Sequence, residues 1–180
     1  MKRTILSVLI LFVSITFYGQ KGLSKNKKAL LKSVEKHKIE LIKISDEIWS
    51  LAETAFEETK SAEILAGYAE KQGFKVERGV AGMPTAFVAT YGSGSPVISV
   101  LGEFDALPGI SQKAQPTKSP LKEGAAGHGC GHNLFGAGSL GAAIAIKELI
   151  EDGKIKGTVK FFGTPSEEKF FGKIWMVNAG

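Results

Sequence analysis

Apolar and polar positions along the chain fall into blocks of helical and of strand period. From Asn26 to about Leu51, residues Leu30, Leu31, Val34, Ile39, Leu41, Ile42, Ile44 and Ile48 recur among lysines and glutamates, which predicts an amphipathic helix. A second helix is expected from about Glu57 to Gln72, with Ile64, Leu65 and Tyr68 turned inward and Gly73 as its stop. Phe74 to Arg78 alternates as a half-buried strand does. Thr85 to Tyr91 and Pro96 to Leu101 are β-branched and aromatic runs flanking Gly92-Ser93-Gly94-Ser95, and the pattern predicts a hairpin.

A long glycine- and proline-rich stretch follows, from Gly102 to Gly131. Irregular stretches of this length are uncommon in a compact domain unless they build a site. Leu134 to Ile150 reads as a buried helix rich in small residues, closed by Glu151-Asp152-Gly153. Thr158 to Phe162 is a short, nearly all-apolar strand suited to the inside of a sheet. The succession of strand, loop, helix, strand and loop predicts an α/β fold, a mixed sheet flanked by helices, with ligands at strand ends. The chain closes on an apolar, helix-like segment, Val177-Asn178-Ala179-Gly180, which reads as a truncation of a longer domain.

The N-terminus changes the compartment expected. Lys2 and Arg3 precede an apolar run from Ile5 to Phe17, long enough for a secretory signal but short of the roughly 20 residues that span a bilayer. Residues 1–20 are therefore expected to be a signal peptide, an uncleaved membrane anchor being the alternative, with residues 21–180 the functional portion and the location periplasmic or secreted, without membrane association after signal removal. The formal charge of +5 includes two basic residues of that segment, which leaves +3 without it. The early lysines, Lys21, Lys25, Lys27, Lys28 and Lys32, lack interleaved aromatics, so they read as a solvated face and no nucleic-acid partner is expected. An apolar content of 43% excludes a disordered chain.

Three short motifs carry the chemistry. Cys130 is the only cysteine and lies in His128-Gly129-Cys130-Gly131-His132, so no intramolecular disulfide is open to it. In extended backbone a Cys-X-His spacing puts both side chains on one side, within reach of one metal or a bridged pair. The same spacing is equally consistent with a buried free thiol beside hydrogen-bonded histidines, and His128 suits a ligand or a supporting donor. Glu167 and Glu168 follow a strand and Thr164-Pro165-Ser166; one carboxylate suits a cation and the other a proton, although such a pair is also a common solvated loop feature. Asp105 sits at the end of the strongest strand, where it either orients a ligand histidine, binds metal, or shapes a turn before Pro108. Glu103 shares its parity and could also face the site. His37, among Lys36, Lys38 and Glu40, is expected at the surface without a role.

Taken together, Gly102-Glu103-Phe104-Asp105-Ala106-Leu107-Pro108-Gly109, His128 to Asn133 and Thr164 to Glu168 resemble the M20 metallopeptidase family in its amidohydrolase branch, and there the p-aminobenzoyl-glutamate subgroup. The resemblance covers nearly everything after residue 30. It implies the N-terminal part of a zinc-peptidase-like catalytic domain lacking an inserted lid and dimerisation domain, with two divalent ions, zinc or manganese. Carried over by motif, Cys130, His132 and Glu168 are metal ligands, Glu167 is the general base and Asp105 the aspartate beside the metals. The implied reaction is hydrolysis of an amide joining an acyl or aryl group to an amino acid, on p-aminobenzoyl-glutamate-like or dipeptide substrates, by metal-activated water. The implied assembly is a homodimer or a complex with a related subunit. Further histidine ligands are expected beyond these 180 residues, so the chain alone is expected to bind metal weakly and to hydrolyse nothing. Two departures stand out: Asn133 replaces an aspartate common in the branch, and Lys169-Phe170-Phe171 replaces small residues. The competing expectations are a non-catalytic metal-binding fragment and a hydrolase with Cys130 as nucleophile.

Overall fold

A computed structural model describes residues 22–180; the expected signal peptide lies outside the described residues. Helix α1 runs Lys25–Leu51, α2 Thr59–Lys71, α3 His132–Glu151 and α4 Gly172–Asn178. Strand β1 is Lys75–Arg78, β2 Phe87–Ser93, β3 Val97–Gly102 and β4 Gly157–Gly163. The strands form one sheet in the order β1-β2-β4-β3, with β4 antiparallel to β2 and parallel to β3. This is the expected mixed α/β sheet flanked by helices.

The hairpin expected across Gly92 to Ser95 is absent. β4 inserts between β2 and β3, pairing Val159 with Tyr91 on one side and with Ile98 on the other. Burial explains the choice: Val159 and Phe161 of β4 are fully enclosed, whereas β3 carries exposed Val97, Ile98 and Leu101. Joining β2 directly to β3 would leave the more apolar strand at an edge and forfeit on the order of 2 kcal/mol per large side chain left in water. Helix α3 makes the crossover from β3 to the parallel β4, as parallel neighbours require.

Helix α1 buries less of its apolar stripe than its periodicity suggests. Leu41, Ile44 and Ile48 face the core, but Leu31, Val34, Ile39 and Ile42 of the predicted stripe face solvent. The inward face of its first half is polar instead, and His37, expected at the surface, is buried there. It shares the face of Leu41, Ile44 and Ile48 at helical spacing. Its Nε2–H donates to Glu148 Oε1 at 3.0 Å and its Nδ1 pairs with the Tyr68 hydroxyl at 2.9 Å, so the acidic residue that α3 brings inward is satisfied.

Helix α3 is long and apolar enough by composition to cross a bilayer, yet it packs between α1 and the sheet, with Leu140 and Ile144 in the core beside Leu65, Phe87, Phe104 and Phe161. Its glycines permit this depth. A Cβ on Gly136 would stand 2.7 Å from the Glu103 carbonyl oxygen, and one on Gly141 2.7 Å from Leu41 Cδ1. Helix α2 has no side-chain cap of its own at Glu58. Glu53 supplies one from the preceding segment, accepting from Lys60 N at 3.2 Å and Ser61 N at 2.8 Å.

The site follows from the parallel pair. Gly102 and Gly163 are register partners, so β3 and β4 end side by side and release the 103–108 and 164–168 loops at the same sheet end. Thr164 N–H donates to Gly102 O at 2.9 Å, which fixes the two exits together.

Candidate metal centre

His132 is the hub of this sheet end. It is the first residue of α3, is 4% exposed, and follows Gly131 in the left-handed region at φ 88°. The Nδ1–H donates to Asp105 Oδ1 at 2.9 Å, which in the neutral ring leaves the lone pair on Nε2. Around Nε2 stand Glu103 Oε2 at 3.0 Å, Glu167 Oε2 at 3.8 Å and Glu168 Oε1 at 3.8 Å. Asp105, 1% exposed, spends its second oxygen on the Glu168 backbone N–H at 2.9 Å. It therefore orients a histidine and a backbone amide, and both carboxylate oxygens are engaged in that task.

Cys130, His132 and Glu168 bring one donor atom each to within 4.8 Å of one another, and Glu103, His132 and Glu167 do the same. All of the residues expected at the site thus meet, together with Glu103, whose shared parity with Asp105 points it toward the same place. The route differs from the expected one: Cys130 and His132 converge through the left-handed turn at Gly131, not through extended backbone parity. Nor is Cys130 a buried structural thiol; it is exposed. Desolvation raises its pKa, and the Glu168, Glu167 and Glu103 carboxylates raise it further.

The electrostatics ask for a cation. Glu103, Asp105, Glu167 and Glu168 converge on one imidazole and one lysine, Lys173, whose Nζ pairs with Glu103. Glu168 Oε1 is buried without a hydrogen-bond partner. An orphaned buried carboxylate oxygen facing an imidazole nitrogen and a thiol matches the donor chemistry of a divalent cation site. In the protein alone, burial opposes the charged form of His132, but the bond and charge of Asp105, then Glu103 and Glu168, raise its pKa above the usual imidazole value. Asp105 is pulled the other way: burial is outweighed by the His132 and Glu168 bonds, and its pKa is lowered.

Three residues resolve differently from their sequence appearance. His128 Nε2–H donates to Ile48 O at 3.1 Å, in the last turn of α1, so this imidazole caps a helix end. Asn133 points away from the donors and donates to Ser45 Oγ at 3.0 Å, tying α3 to α1. Glu58 received no role from sequence, yet it is fully buried, and burial pushes its pKa up to about 7. Its signal was a phase: Glu58 precedes Ala62, Leu65 and Ala69 at helical spacing, on the apolar face of α2.

Residues 99–180 match the model of peptidase family M20/M25/M40. The chain is 51% identical over 140 residues to a subunit of the p-aminobenzoyl-glutamate hydrolase of Escherichia coli, covering 76% of this chain and 29% of that protein. It is 31% identical to the Xaa-Arg dipeptidase of Mus musculus, covering 76% of this chain and 31% of the relative. Among solved structures it is similar to a Bacillus subtilis dinuclear metal binding peptidase from the M20 family, with a TM-score of 0.69 and 26% identity over 81% of this chain and 40% of that one. The chain thus spans 29–31% of the length of these two curated relatives. With the M20 match spanning residues 99–180, which hold every donor, and the M20 catalytic fold beneath them, the chain belongs to the M20 peptidase family.

Proposed function

We propose that this chain forms part of a metal-dependent amidohydrolase acting on an amide between an acyl or aryl group and an amino acid, p-aminobenzoyl-glutamate or a dipeptide being the substrates of choice. The observation that carries the reading is the free Nε2 of His132, held by Asp105 and faced by the orphaned oxygen of Glu168. Cys130, His132 and Glu168 would hold the cation, with Glu103 and Glu167 beside it. Two divalent ions, zinc or manganese, are proposed by analogy with the dinuclear relative. A bound divalent cation supplies Lewis acidity, polarising the amide carbonyl and acidifying water.

The protein's own part is proton transfer and orientation. Glu167 lies 3.8 Å from His132 Nε2 and is more open to solvent than Glu168, which supports the reading that it takes a proton from water and passes it to the leaving amine. Glu168 faces the same centre from the next residue, and Asp105 keeps both His132 and the Glu168 backbone in register. The carboxylates around Cys130 disfavour a free thiolate and so a nucleophile, whereas a bound cation would offset their field and stabilise the thiolate as its ligand. Export through the N-terminal segment, and pairing with a second copy or a related subunit, are further parts of the proposal; the Escherichia coli relative is itself one subunit of a hydrolase.

One feature favours a second, non-catalytic reading for these 180 residues. His132 offers one free nitrogen to two donor triads, so only one can use it at a time. The deciding experiment is hydrolysis of p-aminobenzoyl-glutamate and of a dipeptide panel by the full-length protein and by this chain, each with and without EDTA and with zinc or manganese restored. Activity of the full-length protein that EDTA abolishes and metal restores supports the proposal; activity surviving chelation refutes it. Metal binding without turnover by either protein favours the second reading.

A further inference from the structure

The Thr164 to Glu168 loop is gripped at two alternate backbone amides. Asp105 Oδ2 accepts from Glu168 N–H at 2.9 Å, and Glu58 Oε1 accepts from Ser166 N–H at 2.8 Å. These are the amides on either side of Glu167, so two buried carboxylates from distant parts of the chain fix the backbone that carries it. The Glu58 grip is the more demanding. Ser166 is fully buried and sits in the left-handed region at φ 56°, a conformation that costs a non-glycine residue roughly 1 kcal/mol or more and persists only when its surroundings enforce it. Glu58 comes from the start of α2, 108 positions earlier, and its other oxygen accepts from Thr85 Oγ1 at 3.3 Å.

Nothing in core packing calls for a carboxylate at Glu58. A fully buried acid without a paired cation is destabilising, and an apolar residue would suit the Ala62–Leu65–Ala69 face better. We propose that Glu58 is a positioning residue: by holding Ser166 N–H it imposes the left-handed turn that aims Glu167 and Glu168 at His132. Ser166 then propagates the shape, because its carbonyl and Oγ accept from Phe170 N–H at 3.2 and 3.3 Å. Without Glu58 a buried N–H is left unpaired, and relaxation of Ser166 turns the glutamate pair away from the imidazole.

The inference rests on the metal-hydrolase reading, and its test separates the two. Glu58→Ala and Glu58→Gln are compared with wild type, and with Leu149→Ala, a core truncation at the far end of α3, as a control for lost stability. Two readouts are taken on the full chain: amide hydrogen exchange across residues 164–170, and affinity for zinc and manganese by calorimetry. The expected result is faster exchange in Glu58→Ala together with a roughly 10- to 100-fold loss of metal affinity. Glu58→Gln, whose amide oxygen still accepts from Ser166, stays close to wild type in both, and Leu149→Ala keeps its metal affinity at comparable loss of Tm. Unchanged exchange in Glu58→Ala, or equal metal loss in Leu149→Ala, overturns the positioning role while leaving the metal reading intact. Faster loop exchange in a protein whose wild type binds neither metal overturns the metal reading and leaves the grip on Ser166 standing.

Discussion

Asp105 and His132 form the hinge of the site: the Oδ1···Nδ1 bond of 2.9 Å joins the loop after β3 to the first residue of α3. The pair works in both directions. The carboxylate fixes the tautomer that frees Nε2, and the imidazole pulls the Asp105 pKa down so that the carboxylate stays charged. Replacing Asp105 by Asn removes the charge and one of two acceptor oxygens. Metal affinity is expected to fall roughly 10- to 100-fold, measured by calorimetry with zinc or manganese. The His132 pKa, followed by NMR in metal-free protein, should drop as well.

Metal affinity should also depend on pH through His132. Its pKa in the folded chain is raised, so protons compete for Nε2 at pH values above those of a free imidazole. The sign for stability is opposite to that of Asp105. A raised His132 stabilises the metal-free fold below the unfolded imidazole pKa, and that contribution is lost as pH rises through the folded value. The lowered Asp105 stabilises above its unfolded pKa and loses its effect as pH falls through the folded value. Titrations of zinc binding between pH 5 and pH 8 should show affinity weakening on the acid side, and a flat profile would contradict the assignment of His132 as a ligand.

Glu58 gives a separable pH effect. Its pKa is raised by burial to about 7, so between the unfolded value of 4.5 and about 7 the folded state holds the extra proton. Stability therefore falls as pH rises through this window, by at most about 3 kcal/mol. Glu58→Gln mimics the neutral acid and lacks the titration. Urea unfolding of metal-free protein should show the variant gaining on wild type between pH 5 and pH 8, with similar stabilities at pH 5.

Cys130 is exposed and reactive chemistry can reach it. Alkylation by iodoacetamide, read by intact mass, should proceed in metal-free protein and slow at least several-fold on saturation with zinc. Equal rates with and without zinc would remove Cys130 from the ligand set.

Gly136 tests the packing that supports the loop. Its alanine Cβ would lie 2.7 Å from the Glu103 carbonyl oxygen, a backbone atom that yields only if the loop moves. Gly136→Ala is expected to destabilise by about 1–3 kcal/mol, measured by denaturant unfolding, and to weaken metal binding by displacing Glu103. Gly138→Ala, with open space around the added carbon, serves as the neutral comparison.

The sequence by itself determined the elements and the donor list. Periodicity placed α1, α2 and α3 to within two residues or so, because the helical recurrence is local, whereas α4, Gly172–Asn178, reads from sequence only as an apolar segment from Val177 to Gly180. The resemblance of the three motifs taken together, not the spacing within any one, singled out Asp105, Cys130, His132, Glu167 and Glu168. Tertiary structure decided the rest, for reasons no local pattern contains. Strand order turned on which strand is most fully buried, and so β4 displaced the expected β2–β3 hairpin. Burial of His37 turned on Glu148 arriving from α3, 111 positions away. The roles of His128 as a helix cap and Glu58 as a backbone acceptor turned on Ile48 O and Ser166 N–H, partners distant in the chain. Glu57 and Glu58 are adjacent and chemically identical, and only the packing of α2 puts one in water and the other beneath the loop that carries Glu167.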